Sequence, residues 1–234
     1  MDQEFFPGET DREVRLKLHR ERLLRAKLWH ETGNKINHIK IEENSVEEHF
    51  EANWGKYNEI YRAEVDMWWM AFKERQELTV VESNDGNKTF VLDIDNLAIG
   101  KPEDTFYFYQ LKPCWAVMVD LETEDNKKLR VGYHQGGLLN VFRDIRDVDI
   151  QALVDILEEE GKIQKITIFY NGSIQQDTDI EATKKATPKE IPLTIHDMRK
   201  VKGGGTQDLF VTGDTAEMYH NEGSKRVYSG KLNL

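Results

Sequence analysis

The chain of 234 residues has a single cysteine, Cys114, and five prolines. One thiol excludes a disulfide within the chain, so the fold must rest on a buried apolar core rather than on covalent staples. Long apolar runs are missing as well. None approaches the roughly 20 residues that cross a bilayer as a helix, and the start, Met-Asp-Gln-Glu-Phe-Phe-Pro, has no basic stretch followed by an apolar one. These absences lead to the expectation of a soluble protein, cytoplasmic or delivered by a dedicated secretion system into the cytosol of a host or target cell. Positive charge is in deficit: 32 basic against 43 acidic side chains give a net charge of −11. That balance argues against general affinity for nucleic acid or anionic membranes and favours basic partners.

Metal and phosphate signatures are also absent. His19, His30, His38 and His49 lack ligand spacing, and Asp93-Ile94-Asp95-Asn96 lacks the spacing and glycine of a calcium loop. Gly203-Gly204-Gly205-Thr206 is not followed by the lysine and hydroxyl of a phosphate loop. Neither a metal nor a cofactor is expected.

What the sequence does contain divides in two: a helical extension over residues 1–77 and a β-rich core domain over 78–234. Thr10 or Asp11 caps a first helix to about Glu31, with Val14, Leu18, Leu24 and Leu28 on its apolar side. Ser45-Val46-Glu47-Glu48 has the capping-box pattern and opens a second helix, 46–77. Along it Phe50, Trp54, Tyr57, Tyr61, Val65, Trp68 and Phe72 recur at spacings of three and four, an aromatic face that suits core packing or the docking of a partner.

From Leu78 the pattern turns to strands. Ser83-Asn84-Asp85-Gly86-Asn87 is a strong turn between Leu78–Glu82 and Thr89–Ile94. An aromatic strand follows over Thr105–Leu111, then two apolar strands. Asp147 or Asp149 caps a helix bearing Ile150, Leu153, Val154 and Leu157, ended by Gly161. Ile166–Tyr170 is the next strand. The polar stretch 173–190 reads as an exposed connection. Short strands at Ile191–Ile195, Leu209–Thr212 and Arg226–Ser229 complete an α+β reading, a helical pair beside a mixed β-sheet core with a packed helix.

The chemistry centres on the two apolar strands. Cys114 opens the first and His134 closes the second. With the hairpin turn centred on Glu122–Asn126, Cys114 faces His134, Val119 faces Leu129, and Asp120 faces Lys128. Directly opposite β-carbons lie about 4.5–5.5 Å apart, close enough for an imidazole to raise the thiolate fraction of a thiol. Such a pair attacks carbonyl carbon, the histidine moving the proton. Backbone amides near Cys114 and Trp115, or in the turn at Gly136 and Gly137, are the available oxyanion donors. The plain alternative is a small buried cysteine facing a histidine by chance.

The segment Cys114-Trp115-Ala116-Val117-Met118-Val119-Asp120, a variable turn, and Val131-Gly132-Tyr133-His134 resembles the cysteine-to-histidine stretch of the chemotaxis-receptor glutamine deamidases. The helix Ile150–Glu160, Gly161, and Lys165-Ile166-Thr167-Ile168-Phe169-Tyr170-Asn171-Gly172 are similar to that family's next elements, so the order matches over roughly 105–173. The same arrangement is known from the cytotoxic necrotizing factor toxins. The resemblance implies a deamidase-like β-sandwich core and a bacterial effector or toxin. It also implies a protein-glutamine deamidase with Cys114 as nucleophile and His134 as base, acting on a protein that bears a reactive glutamine. The receptor deamidases carry a hydroxyl six positions before the cysteine; Phe108 stands there, which leaves Gln110, Thr105 and Asn171 as possible third residues. Lys112-Pro113 replaces the family's glycine and serine, and proline offers no backbone donor. Two other readings stand beside this one: a non-catalytic acidic interaction or immunity protein, and a cysteine hydrolase of other amide or ester bonds.

Overall fold

The computed structural model describes residues 79–94, 96–111, 114–136, 145–171, 177–198, 207–222 and 225–234, with residues 16, 19, 20, 22–24, 26 and 27 of an N-terminal helix. The aromatic face expected over 46–77, and Gly137, lie outside the described residues.

Alternation along the central strand builds the molecule. In Trp115–Glu122, which is β5, the residues Trp115, Val117, Val119 and Leu121 point one way and join a cluster with Ile150, Leu153, Val154 and Leu157. Ala116 and Met118 point the other way, into a cluster with Phe90, Phe106, Phe108, Leu209 and Val211. A strand apolar on both faces needs a layer on each side. One layer is helical and the other is a second sheet.

The strands are β1 Thr79–Glu82, β2 Lys88–Leu92, β3 Leu97–Gly100, β4 Thr105–Phe108, β5, β6 Lys128–Gln135, β7 Lys162–Tyr170, β8 Leu193–Asp197, β9 Gln207–Thr212, β10 Thr215–Glu222 and β11 Lys225–Asn233. The helices α1 and α2 span Ile145–Glu158 and Asp177–Ala186. A six-stranded sheet runs β1-β2-β4-β9-β10-β11 and a five-stranded sheet runs β3-β6-β5-β7-β8. Parallel pairing of β2 with β4 and of β7 with β8 makes both sheets mixed. The α+β class expected from the sequence is the class observed. On the outer face of the five-stranded sheet, Leu23 and Ala26 of the N-terminal helix pack beside α1, and Arg20 pairs with Glu159 at 2.9 Å.

Three features differ from expectation. The polar stretch 173–190 contains α2, because parallel β7 and β8 need a crossover and a helix supplies it. Its polar composition reflects a single buried row, Thr183 and Thr187 with half-buried Ile180. Strands β3 and β10 were not anticipated, since Leu97–Gly100 is short and Thr215–Glu222 is polar.

The third difference is the hairpin register. Trp115 pairs with Gln135, Ala116 with His134, Val119 with Val131 and Asp120 with Arg130, two residues from the expected pairing. Thr123–Lys127 forms a five-residue loop: Thr123 N–H donates to Lys127 at 3.0 Å, Asn126 N–H to Thr123 at 2.9 Å, and Asn126 takes φ 58°. Because the shift is two, every side chain keeps its face, and hydrophobic pattern alone cannot separate the two registers. The observed one lets Arg130 reach Asp120 and the carbonyl of Gly213, tying the hairpin to the six-stranded sheet.

Candidate functional site

Cys114 lies one residue before β5, and its rung continues through Gly136 after β6 and Asn171 after β7, each one step past the last paired residues. His134 sits two residue pairs along, opposite Ala116. Cys114 and His134 therefore share the face between the sheets as diagonal neighbours, where Cα atoms are typically about 7–8 Å apart and long side chains still meet. They do not stand directly opposite each other, as expected from sequence; the loop length moved the register. Ala116, opposite the imidazole, takes up little of the space between them.

The imidazole is held from two sides. His134 Nδ1 lies 2.9 Å from the carbonyl oxygen of Leu92, at the end of β2 in the facing sheet, and the His134 backbone N–H donates to Asn96 at 3.0 Å. A carbonyl only accepts, so Nδ1 carries the proton and Nε2 is the basic nitrogen. Phe108 meets the ring edge-on at 6.2 Å. The close approach of the sheets that permits this contact is set two residues earlier, where a β-carbon on Gly132 would lie 2.5 Å from Phe106 and 3.0 Å from Leu92. Both side chains are enclosed, with Cys114 1% exposed and His134 0%.

The other sequence candidates are dispersed. Trp115 is buried on the opposite face, edge-on to Tyr170 at 5.4 Å, so its side chain is remote from the thiol's side of the sheet. Thr105 alternates with buried Phe106 and bonds Thr212 at 2.8 Å on the outer face of the six-stranded sheet. Gln110, at φ 56°, turns its exposed side chain to the Tyr109 hydroxyl. Strand alternation removes Thr105 from the histidine, and the left-handed turn at Gln110 removes Gln110. Asn171 is brought next to Cys114, where its amide donates to the Leu111 carbonyl at 2.5 Å, and Gly136 flanks the thiol on the other side. The Leu92 carbonyl was missed, and it could not have been found from sequence, since any residue supplies one.

Among the described residues no cluster of histidine, cysteine, aspartate and glutamate could hold a metal ion, and no helix is long and apolar enough to cross a membrane. An acidic groove lies at the far tip of the hairpin, lined by Glu122, Glu124, Asp125 and Glu158. It is at the opposite end of β5 from Cys114.

No protein-family model and no curated protein matches the chain. Among solved structures it is similar to the C-terminal domain of CNFy from Yersinia pseudotuberculosis, at 11% identity and a TM-score of 0.30, over 63% of this chain and 62% of that one. The match thus spans less than two thirds of that domain. At this level of likeness no residue's role passes from one to the other.

Proposed function

We propose that the protein is a carboxamide hydrolase using Cys114 and His134, and that its substrate is a glutamine side chain of another protein. The observation that carries this reading is the tautomer-fixing contact of His134 with the Leu92 carbonyl on the same inter-sheet face as Cys114. His134 Nε2 takes the thiol proton and the thiolate attacks the amide carbon. The imidazolium then protonates the leaving nitrogen, so ammonia departs and a thioester remains. Water, deprotonated by the same nitrogen, releases glutamate and restores the thiol. The Leu92 carbonyl does the orienting work that a third side chain does in triads. In this proposal the protein is a bacterial effector or toxin domain acting in a target cytosol, and the region before residue 79 recognises the target.

A second reading is favoured by burial. In it Cys114 is a small core residue, His134 fastens β6 to β2, and the acidic groove docks a basic partner. Incubation with glutamine-bearing proteins, read as ammonia release and a gain of about one mass unit per site, separates the two. The enzyme reading expects activity in the wild type and none in Cys114→Ser. Equal traces for both would leave the binding reading.

A further inference from the structure

Gln207, at the start of β9, points into the space between the sheets and is 0% exposed. Its side-chain Nε2 lies 3.4 Å from the Met198 carbonyl, while Oε1 is buried with no hydrogen-bond partner. A fully buried acceptor without a donor is destabilising and calls for a reason. Its place supplies one. Met198 follows β8 on the rung that carries Asn171 and Cys114, one step past the last β7–β8 pair. Leu111, three residues before Cys114, gives its N–H to the Gln207 carbonyl at 2.8 Å and its own carbonyl to Asn171. Leu111, Cys114 and Met198 belong to one buried cluster. The orphan acceptor is therefore built into the same end of the sandwich as the thiol.

We propose that Gln207 Oε1 accepts a hydrogen bond from the N–H of a primary carboxamide held at Cys114, making Gln207 the residue that selects amides over substrates without N–H donors. This rests on the nucleophile reading of Cys114 given above. A site built around a hydrogen-bond partner rejects an analogue lacking it, because the buried group is then left unmet.

The test uses two alkylating reagents with the native full chain: iodoacetamide, which has the amide N–H donors, and N,N-dimethyliodoacetamide, which lacks them. Each rate at Cys114 is divided by its rate with the unfolded chain. In the wild type, iodoacetamide should be favoured by about tenfold, the size of one hydrogen bond near 1.4 kcal/mol. Gln207→Met should abolish that preference. Equal normalised rates in the wild type overturn the proposal, with no variant needed; so does a preference that survives in folded Gln207→Met. If neither reagent reaches Cys114 in the native protein, the nucleophile itself falls, and the role of Gln207 with it.

Discussion

The two faces of β5 bury equally well and do different things. Towards the helices, Trp115, Val117, Val119 and Leu121 meet an aliphatic layer from α1 and β7. Towards the second sheet, Met118 joins the cluster of Phe90, Phe106 and Leu209, while at the other end the side chains shrink to Cys114 and Ala116 and polar groups enter: His134, Asn171 and Gln207. Large apolar side chains fill space and stabilise. Small ones fill less, and buried polar groups beside them cost stability unless they are met. The contrast separates an all-apolar face from one where polar groups enter the core, the face on which the proposed reaction is placed.

The largest break in this contrast comes from Cys114→Ser. On the inner face it should lower deamidation by at least about a thousandfold while the melting temperature hardly moves, measured by mass spectrometry and by calorimetry on one preparation. Trp115→Ala, one residue away on the outer face, should reverse the balance. It should cost about 3–5 kcal/mol in denaturant unfolding, with activity per folded molecule retained. A loss of activity in proportion to stability for both variants would erase the distinction.

Gly132→Ala sharpens the comparison at the point where the sheets approach. Its β-carbon would overlap Phe106 and Leu92, so about 1–3 kcal/mol of destabilisation is expected from overpacking. Separation of the sheets should also weaken the His134 contact with Leu92, seen as a changed chemical shift of the His134 Nδ1 proton in NMR.

The smallest effect concerns His196 on β8, stacked on Phe169 at 5.1 Å. Burial, and then the charge of Lys165, hold its pKa below 6.5. The unfolded chain therefore takes up a proton at higher pH than the folded one, and this contribution to stability is lost as pH falls from about 6.5. His196→Phe should make the fall in stability between pH 7 and 5 shallower. An unchanged slope would show that the ring titrates normally.

Much of the fold was legible. The pattern Glu-Ser-x-Asp-Gly-x-Lys over residues 82–88 recurs as Glu-Thr-x-Asp-Asn-x-Lys over 122–128, and both form the same loop. In the first, Ser83 N–H donates to Asn87 and Gly86 N–H to Ser83, with Gly86 at φ 81°. In the second, Thr123, Lys127 and Asn126 take the corresponding places. Lys88 pairs with Glu82 and Lys128 with Glu122. Reading the second turn by the first gives the register that alternation left open. The helix after β6 and the strand after Gly161 were equally plain, since each carries its own period and stop signal.

The sequence by itself determined the α+β class, the faces of β5 and β6, and the placing of Cys114 and His134 on one side of a hairpin. Those follow from periodicity, which is local. Tertiary structure alone decided what faces that side. The second sheet brings a backbone carbonyl at Leu92 to the imidazole and a buried amide at Gln207 to the same end as the thiol, across 42 and 93 residues of chain respectively. Contacts at such separations depend on which sheets stack and which edges align, and no local pattern encodes them.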